Sequence, residues 1–542
     1  MQKKHQVIMS NPPLLDLLPD LKTEPAGSTI LARAEKYLAI GCDLRQLDKL
    51  ESVLRAEFNM SECAVEILFT AEVSVAYMTL EAANDVLKWA SKFDNVRFCL
   101  LEQHLPDGRD HPFAQTMLKH FEKLRTPLHA IGTMDQMINR FTTAGWPAEG
   151  TNIRSLWDLW SDPEFLSSEQ RMALDNIEPF DEWEEFALFG SHYFLMVAER
   201  TSSASVAPFS PKKTEEVAHA QPGISNTLFR CLPFESKPAH RRFGAPITQL
   251  DRSNNIDTVA VHGGLGTRER LNTCDTYTNK VNGIAVTAPP LPAALMCHSI
   301  TALDDSDCLL VGGRTAPDKA SASCWHRSHE SGLWTKTHEL PEARYRHCAV
   351  PVPNGIGDAK QGSAVIVFGG KNSKGKVLDD LILWTSSDGW NPSIDVDVAE
   401  PIPEPRFGAC MYRRPGNDGH QGVLTGGMRQ DGTIINDFWE WELQVDINTN
   451  RLKIVWRDRT SEVLARLGPS AKYLGRFGAV TAQSPRGLLL IGGVTAHDML
   501  TRKTEILNLD TLRFSSLQPE NRPLLVGFTA LNVQSGGEGS SR

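Results

Sequence analysis

Apolar and polar positions follow two different rhythms along the chain. In residues 1–200 short apolar runs alternate with helical periods. YLAIGCD (Tyr37–Asp43) reads as a strand ending in an acid, and RQLDKLESVLRAEF as an amphipathic helix with Leu47, Leu50 and Leu54 on one face. AVEILFTAE (Ala64–Glu72) reads as a second buried strand ending in an acid. TLEAANDVLKWASKF reads as a helix, and NVRFCLLEQ (Asn95–Gln103) as a third strand. This βαβαβ order predicts a parallel sheet with crossover helices. Carboxylates at the tips of such strands, here Asp43 and Glu72, stand where these sheets bind ligands. The alternative, in which both acids only cap the helices that follow, stays open.

Beyond the Ser-, Pro- and Ala-rich stretch 201–236, which reads as a linker, the rhythm changes. Apolar runs end in Gly-Gly at Gly263, Gly312, Gly369, Gly426 and Gly492, at intervals of 49, 57, 57 and 66 residues. Small anchors precede them at Arg242, His298, Arg346, Arg406 and Arg476. Aromatic strands follow several of them, at Trp325, Trp334, Trp384, Trp439 and Trp441. A period near 50 residues with a diglycine closing a β-run is the kelch signature, and predicts a β-propeller over 237–530. Each unit is a small twisted sheet that cannot bury both faces alone, so units stack radially. Val526-Gly527-Phe528 offers a sixth repeat start, which leaves blade count and ring closure open. Residues 531–542 read as a disordered tail.

Composition narrows the class. The chain has 542 residues, 41% hydrophobic and 23% charged, which suits a globular protein of two or more domains. No apolar run reaches the roughly 20 residues that span a bilayer, so no membrane partner is expected. The ten cysteines include no Cys-x-x-Cys pair, and read as the reduced thiols of an intracellular protein, cytoplasmic or mitochondrial. Net charge is −10, with −12 in residues 1–200 and therefore +2 in the remainder. That balance excludes a generally basic nucleic-acid binder and leaves an RNA substrate to local patches. The stretch EQHLPDGRDHPFAQTMLKHF (Glu102–Phe121) carries three histidines at spacings of 7 and 9, which match no helical or hairpin metal set. It reads as a strand end, a Pro-Asp-Gly turn and a helix start on the lip of a cleft, with His104 or Arg109 available to a substrate; a plain surface turn is the other reading.

GCDLRQLDKL followed by LFTAEVSVAYM resembles the leucine carboxyl methyltransferase family of S-adenosylmethionine (SAM) enzymes. Phe113, Gln115 and Met117, then Ala144-Gly145-Trp146 and EEFALFGSHYFLMVAER, extend the likeness through residues 1–200. A methyltransferase followed by a kelch propeller resembles the wybutosine branch of that family. The fold class implied is α/β plus all-β: a partial Rossmann-like SAM-methyltransferase domain (1–200) and a kelch-type β-propeller (237–530). The resemblance implies carboxyl methylation and methoxycarbonylation of the wybutosine precursor at guanosine 37 of phenylalanine tRNA, with SAM as cofactor and carbon dioxide as co-substrate. It matches Asp43 and Leu44 to the pair that holds the adenine, and Glu72 to the acid below the cofactor. A carboxylate can accept the exocyclic amine's hydrogen, and Glu72 can pair with the sulfonium charge. No catalytic acid or base is named, because an ionised carboxylate attacks a sulfonium methyl without one.

The family's first strand, its glycine-rich turn and the acid that grips the ribose have no counterpart in residues 1–200. The domain is therefore expected to be N-terminally incomplete, to bind SAM weakly or not at all, and to leave the strand ending at Glu72 with an open edge. Two other readings remain: a non-catalytic kelch interaction protein with a protein partner on its propeller, and a protein C-terminal leucine carboxyl methyltransferase acting on a phosphatase tail.

Overall fold

The structure is a computed structural model. It describes residues 2–200 apart from 26, 59–64 and 179, and residues 241–530 apart from 252–255, 279–283, 286–289, 304–306, 353–362, 392–394, 397–400, 415–419, 446–451, 498–504 and 516–524. The expected linker (201–236) and tail (531–542) lie outside the described residues. The chain forms two compact units, Met1–Arg154 with His192–Lys213, and Ser155–Ser191 with Thr214–Arg542. The division by contacts thus departs from the expected 1–200 boundary, since Ser155–Ser191 sides with the second unit.

The first unit opens with helices α1 (Gln2–Met9) and α2 (Pro12–Asp16). A small antiparallel sheet follows: β1 (Lys22–Thr23), β2 (Ile30–Ala34) and β3 (Tyr37–Ile40). Helix α3 (Leu47–Phe58) lays Leu47, Leu50 and Leu54 against the unit's core, as its period predicts. Strand β4 (Ile67–Glu72), helix α4 (Leu80–Ala90), strand β5 (Val96–Gln103), helices α5 (Pro112–Lys123) and α6 (Met134–Thr143), and strand β6 (Thr151–Ser155) come next. Helices α7 (Leu156–Ser161), α8 (Ser168–Ile177) and α9 (Trp183–Gly190) precede β7 (Tyr193–Arg200). The main sheet has the order β4-β5-β7-β6, with β4 parallel to β5 and β7 antiparallel to it. Phe98 and Leu100 of β5 and Phe194, Met196 and Ala198 of β7 are buried against α4 and α6. The expected three-strand parallel order is corrected on one point. Tyr37–Ile40 pairs with Ile30–Ala34 as a hairpin and does not join the main sheet. A four-residue apolar run carries too little period to choose its partner. β4 is an edge strand of the described sheet, and Leu68 on it is 61% exposed.

The second unit contains a β-propeller. Its described sheets are β8 (Ala245–Asp251) to β11 (Ile284–Ala285), through β9 (Ile256–His262) and β10 (Cys274–Thr278); β12 (Ser299–Ala302), β13 (Cys308–Val311), β16 (Cys324–Arg327) and β17 (Trp334–Lys336), with the hairpin β14 (Arg314–Ala316) and β15 (Lys319–Ala320) beside them; and β18 (Cys348–Val352) to β21 (Gly389–Asn391), through β19 (Ala364–Phe368) and β20 (Leu381–Thr385). A five-stranded sheet follows, β22 (Asp395–Val396), β26 (Leu452–Asp458), β25 (Phe438–Val445), β24 (Gln421–Thr425) and β23 (Cys410–Arg413). The last runs from β27 (Val480–Ser484) through β28 (Gly487–Ile491) and β29 (Ile506–Asn508) to β30 (Arg513–Ser515). Every diglycine read from the sequence closes the second strand of its sheet, and both glycines of each pair have positive φ. A Cβ on Gly369 would strike the Arg406 carbonyl, which is why no other residue serves there.

At the repeat starts one residue each has a left-handed backbone, with φ between 53° and 68°: Phe243, Cys297, Arg346, Gly408, Gly478 and Gly527. Backbone bonds string them together. Phe243 N–H donates to Gly527 O (2.6 Å), Cys297 to Phe243 (3.1 Å), Arg346 to Cys297 (3.0 Å), Gly408 to Arg346 (2.7 Å) and Gly478 to Gly408 (3.0 Å). This belt brings Gly527, the sixth repeat start, onto the first repeat, so the ring that the sequence left open is joined at that point. The anchor register also shifts in two repeats. The clamping arginines are Arg241, Arg344, Arg406 and Arg476, each two residues before a belt position. Arg344 grips Asp380 at 2.6 and 2.7 Å and the Gly369 carbonyl at 3.2 Å. Arg406 does the same to Asp437 and Gly426, and Arg241 to Asp275 and Gly263. Arg242 and Arg346 turn elsewhere.

Candidate functional site

In the first unit the tips of the parallel strands are tied together by one carboxylate. Glu102, at the end of β5 and 1% exposed, accepts three backbone N–H groups through Oε1: Ser74 (2.7 Å), Val75 (2.6 Å) and Ala76 (3.0 Å). These amides begin two residues after Glu72, past Val73 with φ +44°. Glu102 therefore fixes the course of the chain as it leaves the neighbouring strand. Burial raises its pKa, opposed by the three N–H bonds and by the Arg140 charge. Glu102→Ala orphans three amides and is expected to destabilise the unit by about 2–4 kcal/mol, whereas Glu102→Gln, which keeps the acceptor, costs less than about 1.5 kcal/mol. Hydrogen exchange at Ser74–Ala76 checks this, and equal protection in both variants would refute it.

Beside this tie, Gln103 Nε2 donates to the Tyr193 hydroxyl at 3.0 Å and His104 N–H to the His192 carbonyl at 2.8 Å. The rings of His104, His111 and Phe113 gather around His192, with centroids 6.5, 5.2 and 4.5 Å from it. The opening stretch is thus a strand end, a turn through Gly108 (φ +79°) and a helix from Pro112. His104 is buried and Arg109 is exposed on the turn. Among the described residues no group of three or more His, Cys, Asp and Glu side chains could hold a metal ion. Nor, among the described residues, is any helix long and apolar enough to cross a membrane.

Of the three residues matched to a cofactor site, Asp43 and Leu44 lie in the loop after β3 and Glu72 lies at the end of β4. Asp43 follows β3 and its Oδ1 accepts the Arg45 amide at 2.9 Å, while the Arg45 guanidinium meets both carboxylate oxygens (2.6–3.1 Å). Those hydrogen bonds hold its pKa down to about 2. Leu44 is 43% exposed. Glu72 ends β4 and is exposed. The structure does not place Asp43 and Glu72 on neighbouring strands of one sheet, as the sequence reading had them.

The second unit holds a denser constellation that pattern reading missed. Arg346, on the belt, binds Asp181 (2.9 Å) and Glu184 (2.7 and 2.9 Å), and Arg314 binds Asp181 at 2.7 Å. All four side chains are nearly sealed from solvent. The Arg346 guanidinium also lies over the rings of Phe243 and Phe477, 5.0 and 4.8 Å from their centroids. A Cβ on Gly478 would collide with Glu184, so the belt glycine leaves room for this carboxylate. Asp175 adds Lys371 at 3.2 Å, and the Trp157 indole N–H reaches the Thr495 carbonyl at 2.9 Å. The segment 155–191 is therefore keyed into the propeller by charge and packing. The only sequence signal was the run of acids from Asp175 to Glu185, which has no local bases to match it.

Together these features define a class: a mixed α/β unit linked to a β-propeller, with residues 292–538 matching the family described as tRNA wybutosine-synthesizing protein 4, beta-propeller. The chain is a homologue of proteins named tRNA wybutosine-synthesizing protein 4. It is 41% identical to that of Emericella nidulans over 512 residues, 92% of this chain and 46% of the relative. It is 40% identical to that of Aspergillus fumigatus, covering 94% of this chain and 47% of the relative. Against that of Schizosaccharomyces pombe the identity is 28%, covering 85% of this chain and 67% of the relative. The chain spans about half the length of the first two.

Proposed function

We propose that this chain acts in wybutosine synthesis, as the carboxyl methyltransferase and methoxycarbonyltransferase portion that modifies guanosine 37 of phenylalanine tRNA. The observation that carries the reading is the continuous similarity, over 92% of the chain, to a protein named for that pathway. In this reading the first unit is part of a Rossmann-like SAM-methyltransferase domain and the second is a kelch propeller, with tRNA as the partner. The sheet order β4-β5-β7-β6 with an antiparallel β7 supports the first assignment. The repeated Arg–diglycine–carboxylate clamps support the second.

The residues carried over offer suitable chemistry. Asp43 is ionised and open to solvent, Leu44 presents an exposed apolar side chain, and Glu72 is an exposed carboxylate. Asp43 would accept from an adenine amine, Leu44 would pack on the ring, and Glu72 would face the sulfonium. SAM supplies an already activated methyl group when bound, so what the protein must add is alignment. Glu102 serves that end by holding the segment after Glu72. Carbon dioxide enters this reading as the second co-substrate.

The test is the modified base of phenylalanine tRNA from a strain lacking the gene. The precursor with a free carboxyl group is expected to accumulate. Restoring the gene with Asp43→Ala or Glu72→Ala is expected to lower the methyl ester at least about tenfold, which corresponds to about 1.4 kcal/mol of barrier. Unchanged wybutosine in the deletion strain overturns the proposal.

A further inference from the structure

Residues 1–200 carry a net charge of −12, yet one stretch of the first unit runs the other way. Between residues 118 and 131 stand Lys119, Lys123 and Arg125, with Glu122 the single acid. All three cations are exposed, and none of them forms an ion pair among the described residues. Lys119 and Lys123 are four residues apart on α5 and so share one side of the helix. The stretch lies against the strand tips. His129 N–H and Ala130 N–H both donate to the Ala76 carbonyl, at 2.8 and 3.0 Å, and the rings of Phe121 and Tyr77 meet edge-on at 6.1 Å. Ala76 also supplies one of the three amides that Glu102 holds, just past Glu72.

Arg125 adds a second, independent observation. It follows the last turn of α5 with φ +60°. Its N–H donates to Glu122 O at 2.9 Å, and Thr126 N–H donates to Phe121 O at 3.0 Å. That is the helix ending which glycine ordinarily provides, and a residue with a Cβ takes it at a steric cost. Here the side chain is a charged one, held out in solvent with no partner, so packing does not account for it. Lys123 in the last turn suits the helix dipole, but that benefit is open to any cation inside the helix and requires none at the left-handed position.

We propose that this basic ridge, Lys119, Lys123 and Arg125, seats the phosphate backbone of tRNA beside the strand tips. Contacts from Lys and Arg to phosphates fix the register of a nucleic acid without reading its sequence. Arginine suits the role at 125, since its planar guanidinium can meet a phosphate with two hydrogen bonds. On an otherwise acidic unit the ridge gives a polyanion one place to lie, and repulsion elsewhere directs it there. The inference rests on the reading that tRNA is the substrate, and gives that substrate a contact which no residue at the strand tips provides.

The experiment titrates the full chain with a labelled transcript of phenylalanine tRNA, from about 50 to about 200 mM salt, followed by anisotropy. Polyglutamate of similar charge serves as the comparison anion. Lys119→Gln with Lys123→Gln is expected to weaken tRNA binding about tenfold or more and to flatten the salt slope by about 2. Arg125→Gly is expected to weaken it about threefold or more and to flatten the slope by about 1. The same variant relieves the backbone, so its melting temperature stays equal or rises by up to about 4 °C. Lys88→Gln is the matched control, an exposed lysine in the last turn of α4, and is expected to change neither affinity nor slope. No saturable binding by the wild-type chain, wild-type affinity in the double variant or in Arg125→Gly, an equal loss in Lys88→Gln, or polyglutamate bound as tightly as tRNA would each overturn the proposal. The titration involves no methyl transfer. Ridge-dependent tRNA binding with normal wybutosine in the deletion strain would sink the pathway assignment alone, and the converse would sink the ridge alone.

Discussion

Replacing Arg346 by methionine is expected to destabilise the propeller unit by about 3–5 kcal/mol, because it leaves buried carboxylates short of a cation. Arg346 is the shared partner of Asp181 and Glu184, and Arg314 reaches only Asp181 among the ion pairs of this cluster. Removing it strands Glu184, which is 2% exposed, and also the face-on contacts with Phe243 and Phe477. The defect should not stay local, since the cluster joins the belt to the segment 155–191. Hydrogen exchange is expected to show α9 and the amides at Gly408 and Gly478 loosening together. Adding Glu184→Gln to Arg346→Met removes the stranded charge and is expected to recover part of the loss, which a double-mutant cycle measures. Additive effects of the two substitutions would show that the pair does not act as a unit.

Acidification is the second large lever. Burial lowers the pKa of His262 to about 3, of His298 to about 4 and of His347 to about 3. An unfolded histidine takes up its proton near pH 6.5, while these folded ones do not until well below pH 5. Between those values the unfolded state binds more protons, so stability is full above about pH 6.5 and falls as pH drops towards the folded values. At pH 5 the loss is about 2 kcal/mol per histidine, as an upper bound. Glu185 works in the opposite direction, since burial raises its pKa, but it is a single group that ordinarily titrates lower. The urea midpoint of the propeller unit is therefore expected to fall sharply between pH 7.5 and 5. His298, whose two ring nitrogens lack partners, can be replaced by leucine without breaking a hydrogen bond. His298→Leu is expected to flatten the pH slope by about a third, as one of three such groups. A midpoint that does not move with pH would refute the account.

The propeller was legible because its signals are local and repeated. A diglycine after an apolar run states a backbone requirement within a few residues, and each of the five closes the strand it was read to close. Tryptophans read as aromatic strands lie in β16, β17, β20 and β25. The belt was not legible, because its members differ in side chain: Phe243, Cys297 and Arg346 do the same backbone work as three glycines. The misplaced anchors share that cause, for in RRFGA and RYRHCA two arginines compete, and what separates them is the position two residues before a belt residue, which shows only once the belt is built. The α3 face was readable from Leu47, Leu50 and Leu54, but the partner of Tyr37–Ile40 was not, since a short apolar run fits a hairpin and a buried strand equally well. In the sequence Glu102 is only the first residue of a histidine-bearing stretch; its three amide partners lie 26 to 28 residues upstream. Asp181 and Arg346 are 165 positions apart, and no local period can announce that pairing.

That separation has a consequence during synthesis. A ribosome adding about 5–20 residues per second needs about 10–30 s to pass from Asp181 to Arg346. Through that interval Asp181 and Glu184 are already made while the cation they share is not. The nascent α9 must wait in water as an acidic segment, and it can be locked into place only after the third propeller sheet has begun to emerge.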